Sequence, residues 1–415
     1  MIKNWLLLVL TVTLCNTLGR AQEVSLEDYL RIAKDRSPLL REYRNAVLIN
    51  RLDSQLLRVV FRPQVALISN NMYAPTFGNF GYDEAITNGG QFSTVVQASK
   101  KFIGLSNLNA QLGTLRLSGD SIRNTTLIAE QDLTRAITQQ YLAAYGDQQQ
   151  LRANEEISKL LSNENVVLKK LTESNVYRQT DYLTFLVTQK QQDLQMRQLR
   201  VQYLTDFATL NYLCGIVDTQ AFSKTLALPK LDVALFANSL SSAFYRRYTL
   251  DSLRLQNQLQ LIKLYYRPRL TVFADVGNQT TQLSTIHQTF GASAGFSINL
   301  PIYDGGRKKL SMQQIRLQED TRQGYRQFFE LQYNQQIASL MQQLSATQTL
   351  LTDIEAQIKY TKGLIEVNEK LLQTGDARIP DFVIAINNYM MAQTLLTQNR
   401  ISRLQIINQV NYWNR

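Results

Sequence analysis

Between Ile337 and Leu372 the chain sets Ile337, Leu340, Leu344, Thr347, Leu351, Ile354, Ile358, Thr361, Ile365, Asn368 and Leu372 at steps of three and four. Most of these positions are Ile or Leu, the spacing and chemistry of a coiled-coil seam. The rest of that helix surface is rich in Gln, Asn and Thr, a face suited to water. Prolines fall at 38, 63, 75, 229, 268, 301 and 380, which leaves proline-free gaps at 76–228 and 302–379, each able to hold a very long helix. A helix from about Gly306 to about Leu372 would be roughly 100 Å long at about 1.5 Å per residue. In the first half, the stretch from about Ser106 to Leu171 is read as helix from its length, its lack of proline and its Leu, Gln, Glu and Arg content.

A second pattern has period two. Phe290, Ala292, Ala294, Phe296, Ile298 and Leu300 alternate with Thr289, Gly291, Ser293, Gly295, Ser297 and Asn299. Phe92, Thr94, Val96 and Ala98 alternate with Gln91, Ser93, Gln97 and Ser99, with Val95 the one apolar intruder on the polar side. Leu270, Val272, Ala274 and Val276 alternate with Arg269, Thr271, Phe273 and Asp275, and the run after Pro63, QVALISNNMY, is the least regular. Four strands with one apolar and one polar face fit either a soluble antiparallel sheet or part of a membrane barrel. Bacterial single-chain barrels begin at about eight strands, and an open sheet edge in lipid leaves backbone groups unpaired. If the strands cross a membrane, several chains therefore share one barrel.

The elements recur. Arg62-Pro63 and Arg267-Pro268 each open a strand-like run, and at an offset of 200 Arg178 meets Arg378, Asp181 meets Asp381, Tyr182 meets Phe382 and Asn211-Tyr212 meets Asn411-Tyr412. The pattern predicts a tandem duplication. The first repeat covers 22–214, with a helix, a β-hairpin at about 60–103 and a long helical hairpin at about 105–214. The second covers 215–415, with a β-hairpin at about 267–303 and a helical hairpin at about 305–413.

Composition narrows the setting. Residues 1–21 combine Lys3, an apolar stretch from Trp5 to Leu14 and the small-residue site Gly19-Arg20-Ala21, which predicts an export signal cleaved after Ala21. Leu14 before Cys15 fits lipoprotein processing badly, so Cys15 is expected to leave with the signal. The net charge of +11 then loses Lys3 and Arg20 and falls to +9. Its cations are spread along helical stretches without interleaved aromatics, which points to solvated helix faces and no nucleic acid. Cys214 is the only cysteine left and His287, in a polar loop, the only histidine, so no disulfide framework, metal or other cofactor is expected. The carboxylate pairs Glu27-Asp28 and Glu319-Asp320 occupy adjacent helix positions that face different ways, with no nucleophile beside them, which argues against an enzyme.

The stretches VSLEDYLRIAKDRSPLLREYR, RPQVAL, RPRLTVFADVG, FSINLPIYDGGRKK, LNYLCG and QTGDARIPDFVIAINNYMMAQ occur in an order that resembles the TolC-like outer membrane efflux proteins over nearly the whole mature chain. The resemblance implies a mainly α fold with a β-barrel part. Long antiparallel coiled-coil hairpins would form an α-barrel, and four strands per chain would join a twelve-stranded barrel shared by a homotrimer. It also implies an exit duct of a tripartite efflux pump or type I secretion system, set in outer membrane lipid and reaching into the periplasm. Its partners would be a periplasmic adaptor and an inner membrane pump of the RND or ABC type. The barrel-to-tunnel junction would fall at Pro301, Asp304, Gly305 and Gly306, with Gly104 as its counterpart in the first half.

In this family the helical hairpins turn where adaptors dock and the tunnel narrows. Those turns match Asn175, Arg178 and Thr180 in the first repeat and Gly375, Arg378 and Pro380 in the second. The resemblance places Asp381, and by repetition Asp181, at the aperture, where a carboxylate ring would attract cations. Asp381 as a cap of the returning helix is the alternative. Some relatives carry a further aspartate where this chain has Ile384. The competing reading of the whole is a periplasmic coiled-coil scaffold whose strands form an ordinary sheet.

Overall fold

The structure is a computed structural model that describes residues 22–75, 77–78, 80–83, 89–217, 224–234 and 242–414; the expected export signal and Cys15 lie outside them. In chain order the elements are β1 (Gln22–Val24), α1 (Leu26–Arg36), α2 (Pro38–Val60), β2 (Gln64–Tyr73), β3 (Gly90–Phe102), α3 (Leu105–Glu173) and α4 (Gln179–Leu213). There follow β4 (Lys224–Leu226), α5 (Ala243–Tyr265), β5 (Arg269–Thr280), β6 (Phe290–Asn299), α6 (Arg307–Thr374) and α7 (Ile379–Asn414). Helix, strand hairpin and helical hairpin thus recur in the same order in the two halves. One refinement is local: the helix expected at the amino end is two, because Pro38 opens α2 while Ser37 stays extended and receives the Leu40 amide on its hydroxyl.

The chain forms two compact units, each assembled from both halves. One takes the described residues of Met1–Arg41, Leu127–Ser242 and Glu330–Arg415. Its core centres on Tyr141 of α3, packed with Tyr29, Tyr203, Phe207 and Leu210. The Tyr141 hydroxyl lies 2.6 Å from the Ala227 carbonyl and 3.0 Å from that of Val24, at the small parallel sheet β1–β4. The seam of α6 lies where its spacing predicts: every one of the positions named from Ile337 to Leu372 is buried or half-buried. Leu340 packs with Ile406 and Val410, Leu351 and Ile354 with Leu396, and Ile365 and Leu372 join a cluster with Ile379, Phe382 and Ile386 of α7. Cys214, at the end of α4, is buried, which pushes its thiol up to about 11 and leaves it inert.

The other unit takes Glu42–Thr126 and Ala243–Phe329. It holds an antiparallel sheet in the order β2-β3-β5-β6. The register stacks Val65, Ala98 and Ala274 across one face, then Val272 beside Phe296 and Leu270 beside Ile298. The opposite face carries Gln97, Asp275 and Ser293, where the Ser293 hydroxyl donates to Asp275 at 2.8 Å. Val95 lies on this polar side, opposite Ile68 and Gly277. His287 sits in a 3-10 turn, Leu283–Gln288, in the β5–β6 loop.

The exposure of the two central strands is inverted relative to a soluble sheet. Along β5 the apolar Val272, Ala274 and Val276 are exposed, while Thr271, Phe273 and Asp275 are half-buried. β3 repeats this, with Val96 and Ala98 exposed and Gln97 and Ser99 half-buried. On β6, Phe296 is 70% exposed, bare of the other described residues. The outer edges of β2 and β6 have no strand partner among the described residues. No described helix is long and apolar enough to cross a membrane.

Candidate functional site

Two places carry the candidate residues. The first is the passage from strand to helix. β6 ends its pairing at Asn299, opposite Arg269, and Pro301, which has no amide to donate, follows. Gly305 (φ 65°) and Gly306 (φ 87°) both take left-handed backbone, the bend expected of them. Asp304 then caps α6: one carboxylate oxygen accepts the Gly306 amide at 3.0 Å and the other the Lys308 amide at 2.8 Å. The second oxygen also accepts a hydrogen bond from the Tyr266 hydroxyl. That bond, joined by the Lys308 amide, lowers the Asp304 carboxyl below its usual range.

The first-half junction is built differently. Gly104 directly precedes α3, and its carbonyl accepts the amides of Asn107 and Leu108, but it has neither a carboxylate cap nor positive φ. The Arg267 guanidinium reaches Ser106 at 3.1 Å. Tyr266 and Arg267, consecutive in the turn just before β5, thus tie the beginnings of α6 and α3 together. Sequence reasoning marked Arg267 only as a repeat marker and missed Tyr266, since nothing local links it to a carboxylate 38 residues ahead.

The second place is the pair of helical turns, which share their backbone pattern at the offset of 200. Asn175 (φ 60°) and Gly375 (φ 84°) both adopt left-handed backbone. The Leu171 carbonyl accepts the Val176 amide at 2.9 Å, and the Leu371 carbonyl accepts the Asp376 amide at 2.9 Å. The amides of Asp181 and Asp381 close the next helices on the carbonyls of Arg178 and Arg378, each at 3.1 Å. Thr180 and Pro380 occupy the first turns of α4 and α7, where a proline loses no helical bond. The two turns also touch. The Tyr177 hydroxyl donates to the Leu372 carbonyl at 2.8 Å, and a Cβ at Gly375 would stand 3.2 Å from the Val176 side chain. Tyr177 and Val176 were not legible as contacts, because they join turns far apart in sequence.

The charges at these turns are arranged asymmetrically. Arg378 Nε and Nη2 hold the two oxygens of Asp381 at 3.0 and 3.1 Å. Asp381 is therefore not a side-chain cap; it lies in the first turn of α7 with its carboxylate taken by a guanidinium, a placement the helix dipole favours. Asp381, then Asp181, raises the Arg378 pKa. Arg178 has no ion pair among the described residues and remains exposed.

Further along α3, Glu164 is 4% exposed and stands beside Glu369 of α6. Burial first, and the neighbouring carboxylate second, push its carboxyl up to about 7. Asp147 is likewise raised to about 7 by burial and by Asp206, whose carboxylate receives Gln140 at 3.0 Å and Gln202 at 2.8 Å. Each raised carboxyl faces a second carboxyl group on a neighbouring helix. Among the described residues no His, Cys, Asp and Glu cluster has the makings of a metal site.

No protein-family model matches this chain, and no curated protein matches it in sequence. Solved structures do match it. The outer membrane protein VceC from Vibrio cholerae aligns at a TM-score of 0.75 with 12% identity, covering 94% of this chain and 96% of its own. CusC, whose structures concern transmembrane channel formation, aligns at 0.78 with 11% identity, covering 94% and 92%. This chain has the outer-membrane-channel fold. The open state of the MtrE outer membrane channel from Neisseria gonorrhoeae shares it at 0.73 with 13% identity, covering 94% and 88%. The mainly α architecture with a β part, implied by the TolC-like stretches, is therefore the one observed.

Proposed function

We propose that three copies of this chain form an outer-membrane channel that serves as the passive exit duct of an efflux or secretion assembly. The observation that carries this reading is the inverted exposure of the central strands: apolar Val96 and Val272 stand bare while Gln97 and Asp275 are half-buried, with Phe296 bare beside them and the edges of β2 and β6 open. Lipid is the solvent that suits a bare apolar face, and an unpaired edge in lipid must find another strand. Four strands from each of three copies would close a twelve-stranded barrel around a polar lumen. The helical hairpins would continue as a tunnel in the periplasm. The duplicated turns would meet a periplasmic adaptor, with Arg178, exposed and unpaired, as a docking cation for adaptor carboxylates. Drugs, metals and other small molecules delivered by an inner membrane pump would pass through without chemistry.

The reading is tested on protein extracted from outer membranes. It expects a detergent-dependent trimer that opens single-channel conductance in planar bilayers. A detergent-free monomer that conducts nothing would overturn it in favour of a periplasmic scaffold.

A further inference from the structure

The apolar face of the sheet carries one charged residue, Lys100, in register with Val272 and next to the row of Phe102, Leu270 and Ile298 that ends the sheet. A lysine among such neighbours is costly unless its ammonium leaves the apolar zone. Its Nζ lies 4.9 Å from the centre of the Phe102 ring, so the stem runs along the strand towards the margin where β3 gives way to α3. At the corresponding margin of β6, Ile302 is 93% exposed and Tyr303 nearly as much, and Arg307, Lys308 and Lys309 open α6 in full exposure. Arg62, just before β2, is also exposed.

These cations have no acidic partners of their own. Among the described residues none of Lys100, Arg307, Lys308 and Lys309 forms an ion pair; the Lys308 ammonium lies 5.0 Å from the centre of the Tyr266 ring, and the Asp304 carboxylate is taken by Tyr266 and the Gly306 and Lys308 amides. Lys101 and Arg269 belong to the polar face and take no part.

Cations without acidic partners beside an exposed apolar and aromatic margin match the two parts of a phospholipid: acyl chains against Phe102, Ile302 and Tyr303, a phosphate against the basic groups. We propose that this margin binds anionic phospholipid headgroups of the leaflet that faces the periplasm. The proposal rests on the outer-membrane channel reading. Each cation near an anionic surface contributes about 1 kcal/mol, or about fivefold in affinity.

Detergent-purified channel is titrated with fluorescent phosphatidylglycerol against phosphatidylcholine of the same chains, and its conductance is recorded in neutral bilayers. Wild type is expected to prefer the anionic lipid, with a preference that weakens with salt. Lys100→Gln is expected to lower the preference about fivefold, and Arg307→Gln/Lys308→Gln/Lys309→Gln by more, with conductance kept. Lys308→Gln retains the amide that Asp304 accepts, so helix capping survives. Inorganic phosphate at equal concentration is expected not to displace the lipid; complete displacement would mark a free-phosphate site and overturn the proposal. A conducting wild-type channel with equal affinity for the two lipids overturns it alone. A chain that neither trimerises nor conducts overturns the channel reading and this one together.

Discussion

Asp381 and Arg378 show how much a single contact alters a functional expectation. Read from sequence, three Asp381 carboxylates would form a bare negative ring. In the structure the Asp381 carboxylate carries a guanidinium held by two hydrogen bonds. If these turns line the aperture, removing the arginine exposes the carboxylate. Arg378→Ala is expected to raise cation selectivity and Asp381→Ala to lower it, both read as shifts in reversal potential under a salt gradient. Unchanged potentials in both variants would place the pair outside the conduction path. Glu164 makes a second prediction, through protonation. Its carboxyl is raised from the ordinary 4.5 to about 7, so across that window the folded chain keeps a proton that the unfolded chain has released. Stability therefore falls as pH rises through the window and levels off above it. Glu164→Gln is expected to remove that slope and to gain about 1–2 kcal/mol at pH 8, after allowance for water reaching the pair. Thermal melts at pH 5 and pH 8 measure it; equal gains at the two pH values would contradict the raised carboxyl.

Helices and strands show what a sequence reveals and what it withholds. The seam of α6 was legible because a helix brings residues three and four apart onto one stripe without any help from the rest of the chain. The two faces of β5 and β6 were legible for the same local reason, since a strand sends alternate side chains to opposite sides. Which face meets solvent was not legible. Val272 and Thr271 alternate identically in a soluble sheet and in a barrel, and only the surroundings separate the two. The strand faces carry a direct test: Ala294→Arg, on the bare apolar side, is expected to cost about 2–4 kcal/mol near mid-membrane, whereas Ser293→Arg on the polar side should be tolerated. The yield of assembled trimer on semi-native gels reports the difference. The turns show the same division. Asn175 and Gly375 were legible as turn residues, but the Tyr177 clasp on Leu372 and the Tyr266 hold on Asp304 were not, because long stretches of chain separate the partners. Gly375→Ala adds a Cβ at φ 84° and 3.2 Å from Val176, and should destabilise by about 1–2 kcal/mol, while Asn175→Gly should change little. Denaturant melts of the two variants side by side check this.

For the molecule as a whole, the duplicated element order and the open sheet belong to one design. Two β-hairpins, one from each half, meet through β3 and β5, so each copy presents one edge from its first half, β2, and one from its second, β6. In the proposed ring, β2 of one copy faces β6 of the next. Cysteines introduced at facing positions of these two strands should yield disulfide-linked dimers and trimers under oxidation; exclusively monomeric product would refute that pairing. The open edges also govern how channels come into being. A lone chain that entered lipid would strand a full row of backbone amides and carbonyls on each side, so subunits must meet before they insert. The appearance of channels should therefore climb with nearly the cube of subunit concentration, and at low supply the cell would hold unassembled chains rather than leaky partial pores.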